Sequence, residues 1–166
     1  MTNFIKTTLG ALHALYIAMV QYYPQKGVGV SSDDLNLVKY FEGSDPRKVR
    51  ELISSITGPL LARVSNSEFC SLPYGGVIKK SLISSTAIIN DVNFVINGID
   101  NKAIVWIECP SESAAQAILS QFDDALSSDK KGMHTIDWDT HLGLDTNSSA
   151  DASKSLSLKN SKSNNN

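Results

Sequence analysis

The opening of this chain is apolar around almost its whole circumference if it is drawn as a helix. Ile5, Leu9, Leu12, Tyr16, Met19 and Tyr23 recur at alternating steps of four and three, the spacing of one helical stripe. Phe4, Ala11, Leu15, Ala18 and Tyr22 make a second stripe beside it, and only Lys6, Gly10, His13 and Gln21 mark a polar side. A small domain covers its core with one stripe, so the second implies a partner or burial on both sides. Residues 9 to 20 carry no charge, which is shorter than the roughly 20 apolar residues of a membrane span. A secretory signal would use Lys6 as its charged end and Leu9 to Val20 as its apolar run. Tyr22-Tyr23-Pro24 follows instead of a small-residue cleavage site. The pattern therefore predicts one long N-terminal core helix.

Downstream, Pro24 to Val30 reads as a loop, and Ser31-Ser32 as the cap of a short helix over 33–41. Asp45-Pro46 is a cleaner helix start, with Val49, Leu52, Ile53 and Ile56 as its buried face and Gly58-Pro59 as its stop. Strands are predicted over 77–83, 92–97 and 102–108, the last two joined as a hairpin across Gly98-Ile99-Asp100-Asn101. Pro110 opens another helix, whose stripe is Ala115, Ile118, Leu119, Phe122 and Leu126, and a final strand is expected over 133–142. These elements give an α+β fold: a long N-terminal helix packed on an antiparallel sheet with additional short helices. Residues 1–144 read as a single domain. Residues 145–166 are rich in Ser, Asn and Lys with only Leu156 and Leu158 large and apolar, and read as a disordered tail.

Charge and chemistry narrow the function. The formal charge is −2 with no long basic cluster, so nucleic acid is not expected as a partner. Cys70 and Cys109 either form one bridge, worth roughly 4 kcal/mol in the chain-entropy model, or stay as two buried thiols. His134, Asp137, Asp139 and His141 are the best metal candidates. Along a strand Asp137, Asp139 and His141 would face one way, spread over about 13 Å, with His134 facing the other, so they fail to close on one ion and no metal and no cofactor are expected. Gly75-Gly76 resembles a phosphate cradle only if a helix follows, and Val77 to Lys80 reads as strand. The acids Glu108, Glu112, Asp123 and Asp124 read as solubilising or helix-end charges. No nucleophile-base order stands out, and the chain is expected not to be an enzyme.

The order of an apolar N-terminal segment ending at Tyr22-Tyr23, a Leu72-Pro73-Tyr74-Gly75-Gly76 turn, an antiparallel sheet and Cys109-Pro110-Ser111-Glu112-Ser113-Ala114 opening a helix resembles the soluble part of type IVb pilins. The resemblance covers residues 4 to about 142. It departs from the family in lacking a leader, the Glu near the start of the family helix and about half of the apolar length, and the family cysteine falls near Ala114. It implies a structural subunit or minor pilin of a type IV pilus or related secretion system. Its partners would be other pilin-like subunits or a secretion-system component, bound through Ile5, Leu9, Leu12 and Tyr16. The place would be extracellular or periplasmic, or cytoplasmic if Met1 is native. The alternative is a soluble protein-binding or adaptor domain unrelated to pili.

Overall fold

The computed structural model describes residues 2–129 and 131–144, so the expected tail at 145–166 lies outside the described residues. The opening segment is not a helix. Phe4–Thr7 (β1) and Gly10–His13 (β2) form an antiparallel hairpin, Ala14–Tyr16 makes a single 3-10 turn, and Ile17–Tyr23 (β3) is a strand. Gly10, at φ +110°, reverses the chain in a conformation no right-handed helix contains. Ile5 stands opposite Leu12 across the hairpin, and both are buried. In β3, Ile17 and Val20 enter one core while Ala18 and Met19 enter another. A strand covered on both faces is a continuous apolar run, which periodicity alone does not separate from a buried helix. The α+β arrangement built on a long N-terminal helix is therefore corrected, and the pilin resemblance falls with it. So do the pilus subunit function, its pilin-like or secretion-system partners, and the adaptor alternative framed beside it.

The remaining strands are Gly27–Ser32 (β4), Leu37–Glu42 (β5), Phe69–Ser71 (β6), Val77–Lys79 (β7), Ile83–Ile89 (β8), Asn93–Gly98 (β9) and Ala103–Glu108 (β10). The helices are Pro46–Arg63 (α1), Glu112–Ser127 (α2) and Trp138–Leu142 (α3). Among the described residues these strands form three antiparallel sheets: β1-β2, β5-β4-β3-β7-β6 and β10-β9-β8. Helix α1 covers one face of the five-stranded sheet. On the other face lies a second core shared with α2 and the three-stranded sheet. The short helix expected over 33–41 is instead a turn, with Leu35 at φ +65°, followed by β5. Helix α1 starts at the Asp45-Pro46 cap expected from sequence, with Asp45 accepting from the Arg47 N–H, but it continues through Pro59. Ile56 and Leu60, both fully buried, hold the last turns to the sheet, and the Arg63 guanidinium donates to the Pro59 carbonyl at 2.8 Å. The strand expected over 133–142 is a single bridge at His134 followed by α3, because the Asp137 carboxylate caps the Thr140 N–H.

The fold is a structural duplication. Strands β3, β4 and β5 with α1 repeat as β8, β9 and β10 with α2. Ile17–Tyr23 and Ile83–Ile89, Gly27 and Asn93, and Leu37 and Ala103 all lie 66 positions apart. Fine features keep the same offset. Leu35 (φ 65°) matches Asn101 (φ 61°), and Gln25 (φ 62°) matches Asp91 (φ 67°). The bulge between Ile17 and Met19 matches that between Ile83 and Ser85. The Gly43 N–H to Lys26 carbonyl bond matches Cys109 N–H to Val92. The strand pair preceding each meander also corresponds. Ile5 opposite Leu12 in β1-β2 matches Cys70 opposite Ile78 in β6-β7.

In the second core the Phe122 ring packs 5.4 Å from Phe94 and 6.3 Å from Trp138, measured between centroids. Its side chain is fully buried. Phe122→Ala should lower stability by about 3–5 kcal/mol. The check is a urea titration, in which the midpoint should fall while the slope stays unchanged.

Candidate ligand cleft

A cleft of about 300 Å³ runs along the open side of β10, between that strand, the end of β3, the Leu72-to-Gly76 turn and the end of α3. Its walls include Tyr22, Tyr74 and Trp106, with Leu72, Val105 and Glu108 beside them. Glu108 is the one charged side chain among the described residues lining it. Among the described residues β10 is an edge strand, so its outer backbone groups lack a strand partner there. Gln21, buried in β3, donates to the Ile104 carbonyl at 2.9 Å and to the Tyr23 hydroxyl at 2.8 Å. It closes one end of that edge. By the alternation of an antiparallel ladder, the backbone groups of Trp106 and Glu108 point the same way as Ile104, into the cleft. Trp106 is half exposed, and its indole N–H donates to the Asn93 side chain at 3.1 Å, which fixes the ring.

The Leu72-to-Gly76 turn supplies Tyr74. This residue has φ 63° and ψ 21°, a left-handed conformation that costs a non-glycine side chain of order 1 kcal/mol or more. The surroundings fix it there. The Arg50 guanidinium lies 4.9 Å from the Tyr74 ring centre, and the Tyr22 ring packs edge-on at 4.7 Å. Arg50 also holds Asp139 of α3 at 2.7 Å, while its Nε is buried with no hydrogen-bond partner among the described residues. Burial pushes the Tyr74 phenol up, Tyr22 adds to this, and Arg50 opposes it. Tyr74 lines a second cavity too, of about 260 Å³, together with Arg50, Ser71 and Trp138. Gly75 takes the positive φ expected of it at +83°, but Gly76 does not. A Cβ on Gly76 would meet the Val20 carbonyl at 2.4 Å, so its role is close strand approach. The residues after it form β7, not a helix.

Of the residues proposed for partner binding, Ile5 and Leu12 are buried under α1, whereas Leu9 and Tyr16 are half exposed or more. Cys70 and Cys109 are both buried, free thiols. The four metal candidates separate. Asp139 pairs with Arg50, His141 bonds Gln121 at 2.9 Å, and His134 keeps a buried Nε2 without a hydrogen-bond partner among the described residues. Among the described residues no three candidate ligands converge. His13 sits between the rings of Phe4 and Tyr16, at 4.7 and 4.8 Å. The sequence reading missed Trp106 and Glu108 as cleft residues. The available signal was a tryptophan inside a strand whose far neighbour is an acid. No helix among the described residues is long and apolar enough to cross a membrane.

No protein-family model matches the chain, and no curated protein matches it. Among solved structures the chain is similar to the LytTr DNA-binding domain of a Bacillus cereus response regulator. The TM-score is 0.39 at 12% identity, covering 74% of this chain and 93% of that one. Net charge does not report how charge is distributed over a folded surface, so the exclusion of nucleic acid on that ground is withdrawn.

Proposed function

We propose that this chain is a small-molecule binding domain and not an enzyme, with the cleft beside β10 as its site and a flat, apolar cation as its ligand class. The observation that carries this reading is the pairing of three aromatic walls, Tyr22, Tyr74 and Trp106, with a single carboxylate, Glu108. Ligand sites are concave and mostly apolar, with a few polar groups that fix orientation. A cation over an aromatic face gains from the ring quadrupole, and a carboxylate at the same site adds a charge-assisted hydrogen bond. The uncapped backbone groups of Trp106 and Glu108 supply further orienting donors and acceptors. The buried thiols support binding over covalent catalysis. Burial pushes the Cys70 thiol up to about 11, opposed by Lys80, and also raises Cys109. Neither is held as the thiolate that attacks substrates.

Benzylamine and phenylacetate form a matched probe pair of opposite charge. Benzylamine should quench Trp106 fluorescence saturably with a Kd of about 1 mM, taking roughly 0.5 kcal/mol per non-hydrogen atom. Phenylacetate should not saturate, and Glu108→Gln should weaken benzylamine about tenfold. Equal binding of both probes would refute the reading.

The Cys70 shift has a stability consequence. Its folded value lies above the unfolded one, so its contribution is complete below about pH 9 and is lost as pH rises toward 11. The stability difference between the wild type and Cys70→Ala should therefore shrink by about 1.4 kcal/mol per pH unit across that window. Urea melts of both proteins at a series of pH values measure it.

A further inference from the structure

We infer that the chain assembles head to tail with copies of itself: hairpin β1-β2 of one copy adds to the free edge of β8 in the next. The argument comes from the duplication. Within one chain, the second unit's pair β6-β7 docks on the first unit through β7, which pairs with the edge of β3. The matching strand pair of the first unit is β1-β2, and the matching edge in the second unit is β8. Among the described residues both of those edges are open, since β1-β2 stands alone and β8 ends its sheet.

Burial differs between the two units at the positions that such docking covers. Phe69 of β6 is 0% exposed, and its counterpart Phe4 is 53% exposed. Val77 is buried, whereas Ala11 is exposed. The residues that face each unit's own helix show no such difference. Ile5 and Leu12 are as buried as Cys70 and Ile78. The receiving side is uncovered in the same way. On α1, Ile53 and Leu60 are fully buried, while their counterparts on α2, Leu119 and Leu126, are only partly so.

Charge agrees. Residues 1–32 contain Lys6 and Lys26 and no acid. Helix α2 contains Glu112, Asp123 and Asp124 and no base. The register follows from the internal joint, where Met19 stands opposite Ile78 and Val20 opposite Val77. Moved by the offset of the duplication, Ser85 stands opposite Leu12 of the second copy, and Thr86 opposite its Ala11. The two surfaces differ, so the contact is heterologous and propagates into a ring or a filament.

Residues opposite each other in an antiparallel pair have Cα atoms about 4.5–5.5 Å apart, within the Cα range that a disulfide spans. Full-length chains are oxidised mildly after circular dichroism confirms the fold; wild type, with both native thiols buried, is the baseline. A chain carrying both Ala11→Cys and Thr86→Cys should give a ladder at multiples of 18.0 kDa. A mixture of the two single variants should stop at a dimer, and neither single variant alone should cross-link. Adding Phe4→Asp should abolish the ladder, and sedimentation of Phe4→Asp without cysteines should show a monomer where wild type is larger. A ladder that never forms overturns the proposal. So does a Thr86→Cys chain that cross-links to itself, which would mean edges pairing symmetrically, or a wild-type chain that sediments as a monomer.

Discussion

Among the described residues, the strands of the two halves pair with each other along one short stretch. Met19 meets Ile78 and Val20 meets Val77 in antiparallel register, and that contact places β7 and β6 in the same sheet as β3, β4 and β5. The approach requires Gly76, because any side chain there would strike the Val20 carbonyl. It also requires β3 to be apolar on both sides. Without the joint, each half would be a three-stranded meander under one helix, with an uncovered second face. With it, the five-stranded sheet has α1 on one face and the Phe94-Phe122-Trp138 core on the other.

The joint also creates the cleft. Bringing the second half against the first sets the open edge of β10 beside the end of β3, where Gln21 reaches across to the Ile104 carbonyl. The turn between β6 and β7 then inserts Tyr74 between Tyr22 and Arg50. Arg50 belongs to α1 and Asp139 to α3, so their 2.7 Å contact ties the chain's last described helix back to the first half. The pair is partly exposed, so its value is in positioning more than in stability. The left-handed backbone of Tyr74 is maintained by these contacts, since its local preference opposes it.

A duplicated fold explains why residues that look redundant differ in exposure. Phe4 and Phe69 occupy matching places, yet only Phe69 has a neighbouring unit above it. The duplication is nearly silent in sequence. Ile17 and Ile83, Asp34 and Asp100, Glu42 and Glu108, and Leu60 and Leu126 coincide, but most matched positions do not. What persists is backbone geometry. A turn needs a residue that tolerates positive φ, and Leu35 and Asn101 both serve, although only Asn advertises it.

Local chemistry determined several elements before any contact was known. The β9-β10 hairpin, the cap and first turn of α1 and the buried stripe of α2 follow from turn residues, capping and periodicity. Each is decided within a few residues. Tertiary structure decided the rest. Residues 4–23 are apolar on every side, a pattern that suits a doubly covered strand as well as a buried helix, and only the placement of two cores around β3 selects the strand. Pro59 stays helical because Ile56 and Leu60 are packed against the sheet. The cleft residues Tyr22, Tyr74, Trp106 and Glu108 lie far apart in the chain, and no spacing between them encodes a site. Their meeting is a property of how the two halves pack, a long-range arrangement that local sequence does not specify.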